Sequence, residues 1–263
     1  MSRLRVLAAL GVAAAAVIGM RMLFSRQAAI ARRRIGKPLG EATPHADRVW
    51  RGALGGDPVD LLLVGDSLAA GLGAETRKQT LGGRLAKGLA ARMGRPVRLR
   101  TVAVVGAESS DLEAQLSAVR DTGDPGVAVI VVGGNDVTHR VPPSVSIRHL
   151  TAAIEALRAA GAEVVVGTCP DLGALRDVPQ PLRRLASSLS RRLAALQAEA
   201  ATRAGAEAVD LRRAVGAMFF DEPEQMFGLD GFHPSPLGYR RTAEALLPAV
   251  ERAARRLTRS EPR

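Results

Sequence analysis

A serine closes one apolar run of this chain, where Leu61, Leu62, Leu63 and Val64 lead into Gly65, Asp66 and Ser67. An inner strand that ends this way delivers its serine to the crevice at the carboxyl edge of an open α/β sheet, where such sheets keep their chemistry. A serine hydroxyl is a weak nucleophile until a base, a group that orients the base and donors for the developing oxyanion surround it. Asp230 and His233 stand three residues apart, close enough for the carboxylate to hold one ring nitrogen while the other takes a proton. Asn135, in Gly133-Gly134-Asn135-Asp136, brings a side-chain amide that donates without titrating. Gly106 ends the run Val104-Val105 and lacks the side chain that would keep a backbone N–H away from an oxyanion. Asp66 competes with Asp230 for the orienting role, and His139 with His233 for the base. Asp66 fits better as a hydrogen-bonding group of its own loop, and His139 as a residue at the pocket edge. Each of these residues also has a plain structural use: Ser67 as a helix cap, Gly106 as a strand exit, Asn135 as a turn residue.

Taken in this order, the blocks around Ser67, Gly106, Asn135 and Asp230-x-x-His233 resemble the SGNH (GDSL-type) hydrolase family over roughly residues 58 to 250. The resemblance implies a flavodoxin-like three-layer α/β/α sandwich with a five-stranded parallel sheet. It implies Ser67 as nucleophile, His233 as base, Asp230 as orienter, and Ser67, Gly106 and Asn135 as the oxyanion donors. It implies no cofactor, and a carboxylic ester as the small-molecule substrate, which the apolar amino-terminal segment and Met218, Phe219, Phe220, Met226 and Phe227 narrow to the acyl or lipid type. The same residues would serve an acyltransferase or a carbohydrate O-deacetylase, and an inactive membrane-tethered binding domain is the reading from another class. The second block departs from the family, which usually carries Asn where this chain has Val104.

These residues need a scaffold, and the pattern supplies one. Short apolar runs at 61–64, 97–105, 127–132, 163–168 and 207–211 alternate with segments of helical period at 81–92, 109–120, 145–160, 182–204 and 236–256. Runs that are apolar throughout suit parallel strands covered on both faces. Ser235 stands where a helix cap would, with Pro236 at the first turn. Residues 38–57 read as a linker, 58–256 as the hydrolase domain and 257–263 as a basic tail. The irregular stretches 170–181 and 218–229 are the expected substrate loops, with Met226 and Phe227 as substrate-binding candidates and Met218, Phe219 and Phe220 beside them.

The net charge of +11 lies in the tails. Eight basic residues and no acid precede residue 38, and five arginines stand against two glutamates from Glu251 onward, leaving a neutral body without the footprint of a nucleic-acid binder. The single cysteine, Cys169, excludes an intrachain disulfide, and histidines at 45, 139, 149 and 233 show no metal-ligand spacing. Val6–Met20 is an uncharged apolar run preceded by Arg3 and Arg5 and followed by Arg21. Residues 1–37 therefore read as a membrane anchor or signal segment, with an uncleaved anchor favoured because Arg21 and Arg26 separate the run from the Ala29-x-Ala31 cleavage pattern. The side of the membrane and the number of subunits are not legible in the chain.

Overall fold

The computed structural model describes residues 3–36, 38–40, 42–119, 123 and 126–260, with the side chains of 3–9 and of 260 outside that description. The last three residues of the basic tail, 261–263, also lie outside it. The elements in chain order are α1 (Arg3–Ile35), β1 (Arg48–Trp50), β2 (Val59–Gly65), α2 (Ser67–Ala70), α3 (Leu81–Met93), β3 (Val97–Thr101), α4 (Leu112–Ser117), β4 (Val127–Val131), α5 (Gly134–His139), α6 (Pro143–Ala159), β5 (Glu163–Gly167), α7 (Leu182–Arg203), β6 (Glu207–Val209), α8 (Leu211–Asp221), α9 (Pro223–Met226) and α10 (Pro236–Ser260).

The sheet runs β1-β3-β2-β4-β5-β6, parallel throughout except for β1. It has six strands where the sequence suggests five. The sixth is the three-residue edge strand β1, inside the stretch read as linker, and it pairs antiparallel with β3 from Arg48 opposite Leu99 to Trp50 opposite Val97. Arg48 and Val49 are exposed and only Trp50 is buried, too little alternation to read as a strand. Trp50 is 7% exposed, donates Nε1–H to the carbonyl of Ala46 at 3.1 Å, and ties this segment into the core.

Burial explains the layers. Alternate residues of the central strands face opposite ways: Leu61, Leu63, Val129 and Val131 meet α3 and α10, while Leu62, Val64, Ile130 and Val166 meet α4, α6 and α7. Each such aliphatic side chain, fully withdrawn from water, contributes about 1.5–3 kcal/mol before entropy is counted. Local signals end the helices where the sheet needs them to. Thr80 caps α3 by accepting from the Gly83 N–H at 3.0 Å, Gly94 (φ 65°) stops it, and Ser235 caps α10 through the Gly238 N–H at 3.1 Å.

From β2 the chain crosses to β3 on one side and then to β4 on the other. The crevice therefore opens above the carboxyl ends of β2, β3 and β4, the three strands that lead to Ser67, Gly106 and Asn135. The helix α1 is continuous from Arg3 to Ile35, and among the described residues no helix is long and apolar enough to cross a membrane. The apolar run of the sequence begins at Val6, and the side chains of its first four residues lie outside the description.

Candidate active site

The turn from β2 into α2 is built around one glycine. Gly65 has φ 134°, and a Cβ there would stand 1.8 Å from the carbonyl oxygen of Val131 on the neighbouring strand. Only glycine allows β2 to lie this close to β4 while the chain turns. The next residue, Asp66, accepts from the Leu68 N–H at 3.0 Å and so caps the four-residue helix α2, with Ser67 as its first residue.

Ser67 and the Asp230 loop meet across the crevice. The Ser67 Oγ lies 2.9 Å from His233 Nε2, and His233 Nδ1 lies 2.5 Å from Asp230 Oδ2. A carboxylate only accepts, so Nδ1 carries the proton and donates to Asp230, which leaves Nε2 to accept from the serine hydroxyl. The other oxygen of Asp230 accepts from the N–H groups of Phe232 and His233, both at 2.9 Å, so every part of this carboxylate is held. Burial works against its ionisation, but the His233 hydrogen bond and the two backbone donors outweigh it and keep the carboxyl below its ordinary range.

Asp66 and His139, the rivals at the sequence level, are engaged elsewhere. Asp66 makes no hydrogen bond to His233. Burial pushes its carboxyl up to about 6, opposed by the Leu68 N–H and the nearby imidazole and reinforced by Asp136. His139 Nδ1 pairs with Glu108 Oε1 at 2.6 Å on the surface, joining α5 to the loop after β3.

Of the other two oxyanion candidates, Gly106 lies in the loop after β3 and Asn135 in the first turn of α5, and the two segments are bonded to each other. Asn135 donates Nδ2–H to the carbonyl of Ala107 at 2.9 Å, which fixes the amide and leaves its second N–H available. Asp136, fully buried, accepts from the Ser109 N–H and from Ser146 Oγ at 2.6 Å, so the start of α5 is tied down twice. Gly106 occupies the third place of a turn closed by the Ala107 N–H on the Val104 carbonyl, with φ 86° and open space where a Cβ would be.

Beside Ser67 and His233 lies a cleft with an apolar lining. Val215 and Phe219, one turn apart on α8, line it together with Leu175, Phe227 and Phe232. Phe227 meets Phe219 edge-on at 4.9 Å between ring centres. Met226, by contrast, is buried and does not line the cleft, and Met218 and Phe220 are each 40% exposed on the outer side of α8. The stretch from Met218, irregular in the sequence reading, is the end of α8 followed by the short α9, so only every third or fourth residue faces the cleft.

Two buried glutamines in this region went unnoticed in the sequence. Gln115 of α4 accepts from the Gly65 N–H and donates to the Gly65 carbonyl, both at 2.9 Å. Gln197 of α7 accepts from the Cys169 N–H at 2.7 Å and donates to the Val132 carbonyl at 2.9 Å. A glutamine in an amphipathic helix looks like a solvated residue, and only the sheet behind it reveals that it completes backbone bonds. Cys169 itself is fully buried, with its thiol pushed up by burial, as suits a small core residue. Among the described residues no group of three histidine, cysteine or carboxylate side chains is placed to hold a metal ion.

The profile of the GDSL-like lipase/acylhydrolase family matches residues 63–241. A GDSL-like esterase of Mycobacterium tuberculosis is 39% identical over 250 residues, covering 90% of this chain and 79% of the relative. Among solved structures, a lipase/acylhydrolase of Enterococcus faecalis superposes with TM-score 0.56 at 20% identity, covering 78% of this chain and 98% of that one. The psychrotrophic esterase EstA of a Pseudoalteromonas species superposes with TM-score 0.57 at 17% identity, covering 73% and 96%.

Proposed function

Since the chain belongs to the GDSL-like lipase/acylhydrolase family, we propose that it is a serine esterase that cleaves carboxylic esters of acyl or lipid type through an acyl-enzyme on Ser67. The reading rests above all on the unbroken relay of contacts, 2.9 Å from Ser67 to His233 and 2.5 Å from His233 to Asp230.

In the first half-reaction Ser67 Oγ bonds to the ester carbonyl carbon as its proton passes to His233 Nε2. The carbonyl electron pair moves onto oxygen, where the N–H groups of Ser67 and Gly106 and the free N–H of Asn135 receive it. The pair returns, the alkoxide leaves with the proton from His233, and the acyl group stays on Ser67. Water then repeats the sequence, losing its proton to His233, and the carboxylic acid departs. Asp230 remains ionised throughout and stabilises the imidazolium, which the depressed carboxyl supports.

The apolar cleft takes the acyl chain, with Phe227 among its walls. The amino-terminal segment tethers the protein at a membrane, where long-chain esters are concentrated. The test is steady-state hydrolysis of p-nitrophenyl esters of graded chain length. A maximum of kcat/KM at a chain longer than acetyl, abolished by Ser67→Ala, supports the reading, whereas wild-type rates in Ser67→Ala refute it.

A further inference from the structure

The two halves of α1 have opposite surroundings. Its base is part of the domain: Gln27 is buried, donating to the Gln180 carbonyl and accepting from the Leu182 N–H at 3.0 Å. Ala31, also buried, packs with Ile35 against Leu175, Phe227 and Phe232, which form a wall of the Ser67 cleft. The rest of the helix has no such partner. Every residue from Leu10 to Met20 is exposed, with Val12 at 71% and Ile18 at 58%. Eleven uncharged residues at about 1.5 Å each give roughly 16 Å of bare apolar helix, enough to reach mid-depth in a hydrocarbon core of about 30 Å.

Charge follows this segment. Arg21, Arg26, Arg32, Arg33 and Arg34 are all exposed, and none pairs with a carboxylate among the described residues. This differs from the carboxyl-terminal helix, where Arg252 and Arg255 are matched by Glu207 and Glu251. Around the cleft, Leu229 in the turn that carries Asp230 is 88% exposed, and Val104 before Gly106 is 54% exposed. The base of α1, with its unmatched arginines, therefore lies against the cleft wall formed by Leu175, Phe227 and Phe232, and a bare apolar helix extends from it.

We propose that α1 docks this protein on an anionic phospholipid bilayer, with Leu10–Met20 in the acyl layer, Arg21 and Arg26 on the headgroups and the mouth of the Ser67 cleft turned toward the lipid. The cleft orientation deepens the lipid-ester reading, and carrying out the test in Ser67→Ala protein separates docking from turnover. The free carboxylates of an anionic protein would satisfy these arginines but not the apolar segment beyond them. A bilayer satisfies both, because Arg21 and Arg26 follow Met20 within about 9 Å along the helix, where the headgroups lie.

Full-length Ser67→Ala protein is mixed with vesicles of phosphatidylcholine alone or with one-third phosphatidylglycerol, and the bound fraction is read by sedimentation. Each headgroup-facing arginine strengthens binding about fivefold, so Arg21 and Arg26 changed together to Gln should weaken anionic-vesicle binding about twenty-fivefold. Binding should also fall with added salt. Equal affinity for the two vesicles, or no loss in the double variant, overturns the proposal. So does a stable dimer in buffer that ignores vesicles, which would make a second copy the occupant of the helix. Because Cys169 is buried, a Leu229→Cys variant can carry a polarity-sensitive fluorophore at the rim. Its emission should shift to the blue on anionic vesicles. The same dye on Ala160→Cys, exposed at the opposite end of the sheet before β5, should not respond. A response at residue 160 and none at residue 229 refutes the orientation. If the docking holds while wild-type protein fails to hydrolyse any ester, the esterase reading fails and the docking stands.

Discussion

Replacing Gln115 with Leu tests whether a helix behind the sheet holds the nucleophile's turn. The side chain is 5% exposed and serves one peptide unit, taking the Gly65 N–H and donating to the Gly65 carbonyl. Leucine keeps most of the volume and removes both bonds. The two ends do not suffer equally, because the Gly65 carbonyl also accepts from the Val104 N–H at 3.1 Å. The carbonyl thus loses one of two partners, while the N–H is left buried with none. An orphaned buried donor costs about 1–3 kcal/mol and an ordinary hydrogen bond about 1, so the loss should be about 2–4 kcal/mol. At about 2–4 °C per kcal/mol for a chain of this size, Tm should fall by roughly 4–16 °C in calorimetry. Because Gly65 is two residues before Ser67, kcat for a short soluble ester should fall while KM changes little. A Tm within about 2 °C of wild type would refute the reasoning, since it would mean that Gly65 finds its partners without Gln115.

Other expectations follow from the same geometry. Asp66, with its carboxyl near 6, keeps a proton in the fold that the unfolded chain releases near pH 4, so stability should decline as pH rises from about 4 to 6, by up to about 3 kcal/mol. Asp66→Asn should flatten that slope in urea titrations at pH 4.5 and 7; an unchanged slope would assign it to another group. Asp230→Asn should lower kcat on the order of 10⁴-fold by favouring the wrong imidazole tautomer, with folding intact by circular dichroism. Asn135→Ala should lower kcat about 10²–10³-fold, and a change in KM alone would remove it from the oxyanion site. At Gly216, on the cleft face of α8, a Cβ meets only the Arg212 side chain at 3.7 Å, so Gly216→Leu should fold and shift the chain-length optimum to shorter esters.

What was legible in the chain followed from chemistry that only a few residue types can perform. The Gly65-Asp66-Ser67 turn and the Asp230-x-x-His233 pair stand out because glycine and titratable side chains interrupt apolar runs at strand ends. The inner strands β2, β4 and β5 announced themselves by burial on both faces. Elements whose reasons lie in tertiary contact did not: β1 has a single buried residue, and Trp50 has meaning only beside α3 and β3. Gln115 and Gln197 look like surface residues until the backbone groups they complete are seen. Met226 and Phe227 looked equivalent as neighbours, and the end of α9 between them turns one into the core and the other toward the cleft. The base of α1 was read as anchor alone because its contacts with residues 175–182 are more than 140 positions away in sequence.

Fluorophosphonate labelling followed by peptide mass spectrometry tests most directly whether the hydroxyl of Ser67 is the activated nucleophile. One adduct on the peptide containing Ser67 is expected, absent in Ser67→Ala and slowed by orders of magnitude in His233→Ala. Ester hydrolysis by a protein that carries no adduct there, or carries it on another serine, would contradict the account.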